Sequence, residues 1–235
     1  MDRAIVKYSH CARSVYRFPF SPSGAEEGDV CPVCSERLRF GLLGAPVAVP
    51  SPFIVAHAAP CAFVVGSVHG PYFLGEWNDT ELHVGITNSR GLVHNYTISG
   101  IRKDQCGWEQ CVCVPLLQPG TDRRTALWDK ELEEFSSLST WVPERFHEEK
   151  EFGSCCYGFA LSFINHMRAL DGKKSFSRDE FTSSYVLPKV KMASDYIRVY
   201  LEILQHGFYI SANPNDLVQA FFLTKRQLSL LFPRQ

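Results

Sequence analysis

The order of strand-like and helix-like patterns most constrains the fold of this chain. Apolar and polar residues alternate on both sides of the polar turn Asn88–Gly91, between residues 79 and 96, and this arrangement predicts a β-hairpin. The two arms of the hairpin carry His83 and His94, so the turn brings two imidazoles onto adjacent strands. Short apolar runs at 62–65 and 111–114 predict two further strands.

Helical periodicity dominates the second half of the chain. The clearest helix is predicted to start at the N-cap Ser154, and its apolar residues from Cys156 to Met167 recur at the spacing of one helix face. Strands followed by helices predict an α+β protein with an antiparallel sheet packed on helices. Other helices are predicted at 127–135, 189–205 (ended by Gly207) and 215–231, with a short strand at 208–210.

The N-terminal segment differs in composition from the rest. Residues 1–45 are predicted to form a small separate unit, and residues 46–235 a larger α+β domain. Two short strands at 5–8 and 14–18 precede a loop at 21–28 that is rich in turn-forming residues. The Gly-, Pro- and Ala-rich stretch after residue 40 predicts a linker or an irregular wrap.

A cluster of cysteines marks this N-terminal unit. Cys31 and Cys34 have the Cys-x-x-Cys spacing of a zinc knuckle, whose tight turn lets two thiolates bind one tetrahedral ion. His10 and Cys11, about twenty residues upstream, supply a candidate second pair of ligands. The four residues predict a zinc-ribbon-like unit that holds structural zinc. Two alternatives stay open, namely a reduced and redox-labile pair of thiols, or cysteines that only pack.

Charge and cysteine content restrict the compartment and the partners. The net charge is −1 and the sequence pI is about 6.7, which gives no electrostatic basis for binding nucleic acid. No apolar run reaches the roughly 18 residues that span a membrane, and the first ten residues do not resemble a secretory signal. A cytoplasmic or nuclear protein is expected, in which the 9 cysteines are thiols, ligands or a nucleophile rather than disulfides. A protein partner is left open.

Cys156 has two features of a catalytic thiol. A helix N-terminus lowers the pKa of a thiol and an imidazole can take its proton, so Cys156, His83 and His94 are candidate catalytic residues. A packing alternative stays open for each of them. Cys156 continues the apolar stripe of its helix, His83 could be a structural histidine, and His94 could be exposed beside the turn. Cys111 and Cys113 alternate along one strand, and core packing is favoured there over metal binding.

The order of these residues carries a resemblance. His83-Val-Gly-Ile86, then Val93-His94, then the Cys-x-x-Phe helix start at Cys156 resemble the permuted papain-like fold of the lecithin retinol acyltransferase-like and PPPDE-type peptidase families. The resemblance covers about residues 62–167 and implies Cys156 as nucleophile, His83 as base and His94, eleven positions further on, as the group that orients His83. Those families have Asn where this chain has Cys155, which puts a positioning or oxyanion contact in doubt.

Most of the chain also resembles the makorin-2 opposite-strand family. Its matching segments are His10-Cys11, Cys31-Pro-Val-Cys34, Val93-His-Asn-Tyr96, Trp128-Asp-Lys-Glu-Leu132 and Cys156-Tyr-Gly-Phe159. This family is known by its genomic position and implies no activity. The favoured interpretation is an intracellular protein with a permuted papain-like core that serves as a catalytically silent binding or scaffold module. The alternatives are a thiol hydrolase or acyltransferase using Cys156 and His83, and a zinc-stabilised interaction protein of unrelated fold.

Overall fold

The computed structural model describes residues 3–19, 30–40, 45–67, 82–117, 122–147 and 155–211. The described residues divide into two compact units, one formed by residues up to Pro52 together with those from Lys191, and the other by residues 53–190. In chain order, the strands are β1 (Ile5–His10), β2 (Arg13–Arg17), β3 (Val47–Val49), β4 (Ala62–Ser67), β5 (Leu82–Thr87), β6 (Val93–Thr97), β7 (Gly100–Asp104), β8 (Val112–Pro115) and β9 (Tyr209–Ser211). The α-helices are α1 (Asp122–Ser136), α2 (Cys156–Leu170), α3 (Arg178–Phe181) and α4 (Leu187–His206).

The first unit is an antiparallel sheet in the order β3-β1-β2-β9. A tight turn joins β1 and β2, and both of its residues, Cys11 and Ala12, have positive φ values of 53° and 55°. Left-handed backbone is costly for residues with a Cβ, so this turn is strained in a way that often accompanies a functional site. One core cluster of this unit contains the buried side chains of Tyr8, Val15, Cys31 and Leu38, with Ile210 packed against them.

The second unit contains a five-stranded antiparallel sheet in the order β7-β6-β5-β4-β8. The β5–β6 hairpin pairs Ile86 with His94 and Thr87 with Val93. Its turn is fixed by Asn88, whose side-chain oxygen accepts hydrogen bonds from the backbone N–H groups of Arg90 and Leu92 at 2.9 and 2.8 Å. An Asn in this role replaces main-chain bonds that a tight turn cannot make for itself.

Helix α2 packs on β5 and β6, and α1 packs on α2. Aromatic rings fill the space between these elements, with edge-to-face contacts such as Trp128 on Phe163 (4.9 Å between centroids) and Trp141 on Phe159 (5.2 Å). The buried indole of Trp128 also donates a hydrogen bond to the carbonyl of Thr87 at 3.0 Å, which joins α1 to the end of β5. These contacts hold the start of α2 against the sheet.

The structure confirms the α+β class, with antiparallel sheets, a hairpin at the predicted turn and helices at the predicted places. Strand β7 and a five-residue π-helix at Thr182–Val186 were not expected from the sequence. The predicted loop at 21–28, the predicted N-cap Ser154 and the helix at 215–231 lie outside the described residues. The helices described here include none that is long and apolar enough to span a membrane.

Candidate functional site

One cavity of about 370 Å³ in the second unit contains two of the three predicted catalytic residues, His83 and Cys156. It lies beside the start of β5 and the N-terminus of α2. Cavities of this size and of mostly apolar character are where small-molecule sites occur. The polar and cationic groups in its wall are His83, Cys155, Cys156, Tyr157 and Arg178, and the apolar lining is formed by Val65, Leu82, Val84, Phe146, Val186 and Val190.

A chain of hydrogen bonds fixes the His83 ring. The Nε2 atom of His83 lies 2.9 Å from the side-chain oxygen of Asn95, and the Asn95 side-chain nitrogen donates to a carboxylate oxygen of Asp104 at 2.7 Å. Asp104 is itself held by the indole N–H of Trp108 at 3.2 Å and by the guanidinium of Arg102 at 3.3 Å. Asn95 is nearly completely buried.

This series of hydrogen bonds determines which nitrogen of His83 carries the proton. The Asp104 carboxylate only accepts hydrogen bonds, so it must face the NH₂ group of Asn95. The Asn95 oxygen then faces His83, and it needs a donor, so Nε2 is protonated in the neutral ring. The lone pair is therefore left on Nδ1, which is the tautomer that a general base requires if it acts through Nδ1.

Two adjacent cysteines occupy the start of α2. Cys155 is the N-cap residue, with an extended backbone, and Cys156 is the first helical residue. The two thiols share a hydrogen bond, and the Cys156 sulfur also accepts from the backbone N–H of Val84, the residue that follows His83 on β5. Cys156 is thus positioned next to β5, and both thiols are half-buried.

The shared hydrogen bond sets the charge distribution of the pair. Donation from the Cys156 thiol lowers the pKa of Cys155 to about 5, and the nearby backbone amides of Gly158 and Tyr157 and the cation of Arg178 act in the same direction. The same bond to Cys155, together with burial, raises the pKa of Cys156. The two thiols therefore titrate as a coupled pair, in which the hydrogen bond favours ionisation of one thiol and opposes ionisation of the other.

His94, the third predicted catalytic residue, lies away from this cavity. It is 1% exposed, and its Nδ1 atom lies 2.9 Å from the hydroxyl of Ser136 in the core between the sheet and the helices. Burial lowers the pKa of His94 to about 4, so the ring is neutral. The position next to it, Asn95, is the one that contacts His83.

Cys111 and Cys113 lie at β8. Cys111 is buried among Val64, Val93 and Trp108, and burial raises its pKa to about 12. Cys113 packs against the same cluster, and burial raises its pKa to about 11. Neither thiol ionises near neutral pH, as befits residues that pack.

The four predicted metal ligands come together in the first unit. One ligand atom from each of His10, Cys11, Cys31 and Cys34 lies within 4.8 Å of all the others. The Nδ1 atom of His10 is 3.0 Å from the Cys11 sulfur and 3.6 Å from the Cys34 sulfur. One nitrogen and three thiol sulfurs at such distances are a donor set that a tetrahedral metal ion accepts. The structure thus contains a His/Cys cluster that could bind a metal.

The backbone around this cluster has the form of a metal-binding knuckle. The N–H of Val33 points at the Cys31 sulfur at 3.4 Å, and the N–H of Ser35 donates to the Cys31 carbonyl at 2.8 Å. Ser35 has a φ of 60°, the left-handed conformation that closes this tight turn. Hydrogen bonds from amides to a sulfur orient it and stabilise its thiolate form, which is the form that binds a metal.

Three residues of these sites were not identified from the sequence. Asn95 and Asp104 were missed because they belong to the strand pairing of the sheet rather than to a motif. Arg178 was missed because it lies at the start of the four-residue helix α3, where its capping residue Ser177 was the available signal. The signal for Asn95 is the register of the hairpin, since pairing Ile86 with His94 places Asn95 on the same face of the sheet as His83.

The fold and the sites define an α+β protein with a half-buried dithiol beside an imidazole, and with a separate His/Cys cluster. Comparison with known proteins shows that the chain belongs to the opposite-strand family suggested by its sequence. A family model described as DUF4796 C-terminal matches residues 46–203. The MKRN2 opposite strand protein of Homo sapiens is 36% identical over 219 residues, which are 92% of this chain and 93% of that relative. No solved structure matches the chain.

Proposed function

We propose that the second unit is a permuted papain-like domain that acts as a thiol hydrolase or acyltransferase, with Cys156 as nucleophile, His83 as base and Asn95 as the residue that positions His83. The observation that carries this proposal is the hydrogen-bond chain from Asp104 through Asn95 to His83, which leaves the lone pair of His83 on Nδ1. The sequence resemblance assigned the positioning role to His94, and the geometry favours Asn95.

His83 and Cys156 line one cavity, and the proposed chemistry starts with a proton transfer between them. His83 Nδ1 takes the proton of the Cys156 thiol while the sulfur attacks the carbonyl carbon of an ester, thioester or amide. When the tetrahedral intermediate collapses, the protonated His83 gives its proton to the leaving oxygen, sulfur or nitrogen. The acyl group then stays on Cys156 until water or an acceptor alcohol or amine removes it. Asn95 holds the ring in one tautomer throughout, as the third member of a catalytic triad does.

A catalytically silent binding module is the second candidate, and the raised pKa of Cys156 favours it. A thiolate on Cys155 makes removal of the Cys156 proton harder, since two adjacent negative charges repel each other. In this case the cavity of about 370 Å³ binds a ligand and His83 has only a structural role.

Acylation by p-nitrophenyl esters separates the two candidates. The active-site hypothesis expects a burst of p-nitrophenolate and an acyl group on Cys156, located by peptide mass spectrometry. We expect Cys156→Ala to abolish the adduct, and His83→Ala and Asn95→Ala to slow its formation by about 10²-fold or more. Cys106 is exposed, so its own acylation rate measures ordinary thiol reactivity in every variant. Acylation of Cys156 no faster than that of Cys106 would leave the silent module as the remaining reading.

We further propose that the His/Cys cluster of the first unit holds a structural zinc ion, bound by His10, Cys11, Cys31 and Cys34. The support is the ligand set itself, whose donor atoms all lie within 4.8 Å of one another, and the amide that faces the Cys31 sulfur. Zinc accepts such thiolate and imidazole ligands in tetrahedral sites, and it adds stability to small units that have a limited core. The third interpretation of the sequence, a zinc-stabilised interaction protein, would place the function of the chain in this unit.

Metal analysis tests the zinc proposal. Purified protein should contain one zinc per chain, and Cys31→Ser and Cys34→Ser should each lose it, whereas Cys106→Ser should keep it. Cys106 lies in the second unit and is exposed, so it is a matched control for the loss of one thiol. Wild-type protein that is folded and holds no stoichiometric zinc after growth in zinc-supplemented medium would contradict the proposal.

A further inference from the structure

The departure of this chain from the papain-like pattern, Cys155 in place of Asn, places a second sulfur next to the proposed nucleophile. The two thiols share a hydrogen bond, and both line the same cavity. Residues 155 and 156 are both half-buried, so a molecule as small as a peroxide has access to their sulfurs through the cavity. A sulfur that serves only to position a substrate would not need a second thiol as its direct partner.

We propose that Cys155 and Cys156 form a peroxide-responsive dithiol, which closes reversibly to a vicinal disulfide and thereby blocks the cavity's sulfur chemistry. The disulfide itself does not depend on the acyl-transfer activity. Its role as a switch for that activity rests on the proposed function.

The oxidation is balanced with hydrogen peroxide as the oxidant. The Cys155 thiolate attacks one peroxide oxygen, the O–O bond breaks, and the sulfur becomes a sulfenic acid while the second oxygen leaves as water after taking up a proton. The Cys156 sulfur then attacks the Cys155 sulfur, the S–O bond breaks, and the proton of Cys156 leaves with the hydroxyl as a second water. Together the two sulfurs lose two electrons and the peroxide gains two.

The positions of the groups favour Cys155 as the sulfur that reacts first. Cys155 is the N-cap of α2, so the positive end of the helix lies beside it. The guanidinium of Arg178, which lies 5.1 Å from the centre of the Tyr157 ring, lines the same cavity. The two thiols share a hydrogen bond, so the resolving sulfur is in contact with Cys155 before oxidation begins.

The geometry also makes the disulfide easy to reverse. Consecutive Cα atoms are about 3.8 Å apart across a trans peptide, which is shorter than the roughly 4.4 Å lower limit of ordinary disulfides. A bond between adjacent cysteines is therefore strained, and strained disulfides are reduced more readily than relaxed ones.

The test treats zinc-loaded, full-length protein with one equivalent of hydrogen peroxide and then alkylates the remaining thiols after denaturation. Peptide mass spectrometry should show the peptide with Cys155 and Cys156 two hydrogens lighter and unalkylated, and dithiothreitol should restore both alkylations. Cys156→Ser should instead accumulate a sulfenic acid on Cys155 that dimedone traps, at a yield at least 10-fold above wild type. Circular dichroism confirms that each variant is folded.

Two results would contradict the dithiol proposal. The proposal is overturned if both cysteines of the wild type stay alkylated after peroxide, or if the wild type accumulates as much dimedone adduct as Cys156→Ser. Acylation of the reduced protein by p-nitrophenyl ester is measured in parallel. A disulfide that forms in protein without ester acylation supports the dithiol and rejects only the enzyme proposal, so the two failures are distinguishable. The Cys156→Ser variant enters the peroxide test only, because it lacks the proposed nucleophile.

Discussion

Gly91 is the residue whose replacement tests the geometry of the β5–β6 hairpin most directly. It ends the turn that brings Asn95 to His83, and its φ of 79° lies in the left-handed region. A Cβ at this position would lie 2.0 Å from the carbonyl oxygen of His57 and 2.7 Å from its carbonyl carbon. Both are backbone atoms of the 3₁₀ helix Ala56–Ala58, so no side-chain rotation relieves the contact.

The expected loss of stability in Gly91→Ala has two contributions. An alanine in left-handed backbone costs about 1–2 kcal/mol. Moving the His57 backbone by more than about 1 Å adds about 1–3 kcal/mol of overpacking. The same displacement of the His57 backbone would weaken the hydrogen bond between His57 Nδ1 and the Gly91 carbonyl, which is 2.8 Å long. We therefore expect Gly91→Ala to lower the free energy of unfolding by about 2–5 kcal/mol. Gly107→Ala is the matched control, because its φ is 93° and a Cβ there would meet nothing within 4 Å. Gly107→Ala should lower the free energy of unfolding only by the cost of an alanine in left-handed backbone, about 1–2 kcal/mol.

Urea denaturation, monitored by tryptophan fluorescence, measures this difference in stability for the second unit. All 4 tryptophans lie between residues 53 and 190, so their emission reports the unfolding of the second unit. Gly91→Ala should be less stable than Gly107→Ala by more than about 1 kcal/mol. Equal stabilities of the two variants would show that the close approach of Gly91 to the His57 backbone is wrong.

Three further predictions concern the same unit. The pKa of His94 is about 4 in the folded protein, below its unfolded value of 6.5, so the unfolded chain takes up the proton first. Stability should therefore fall as the pH drops from 6.5 to 4, by about 3 kcal/mol more in wild type than in His94→Gln, and parallel pH profiles would contradict this. Asn165→Ala removes hydrogen bonds to both backbone groups of Phe176, at 2.8 and 2.9 Å, and urea melts should show a loss of about 1–3 kcal/mol. Ser177→Ala breaks a capping box with Glu180 and should cost about 1 kcal/mol in the same assay, whereas an unchanged midpoint would mean that the cap is not formed in solution.

The sequence predicted the hairpin and the two strands that carry His83 and its hydrogen-bond partner. The resemblance implied His94 as that partner, whereas the structure has the next residue, Asn95. In a strand, successive side chains point to opposite faces, so the identity of the residue facing His83 depends on the exact register. The pairing of Ile86 with His94 puts His94 on the face of Ile86, whereas His83 lies on the other face. Asn95 therefore contacts His83. A motif search favours a second histidine at this spacing, and only the register decides between neighbours.

The four residues of the His/Cys cluster were predicted to lie together, because candidate metal ligands are recognised by residue type and short spacing. His10 and Cys11 end one side of a hairpin, and Cys31 and Cys34 form a tight turn, so both halves are local structures. The composition of the first unit was harder to predict. A boundary at residue 45 follows the change in composition, but β9 at Tyr209–Ser211 completes the sheet from the far end of the chain, and short strands carry little information about distant partners.

The pairing of β2 with β9 has a consequence for how the protein is made. Ser14 pairs with Ser211, so this edge of β2 gains its neighbour only after residues 209–211 have left the ribosome. The second unit, by contrast, comes from the continuous stretch between residues 53 and 190, and its folding does not have to wait for the last residues. During synthesis β2 therefore waits for β9, and an unpaired strand edge can pair with the strands of other nascent chains.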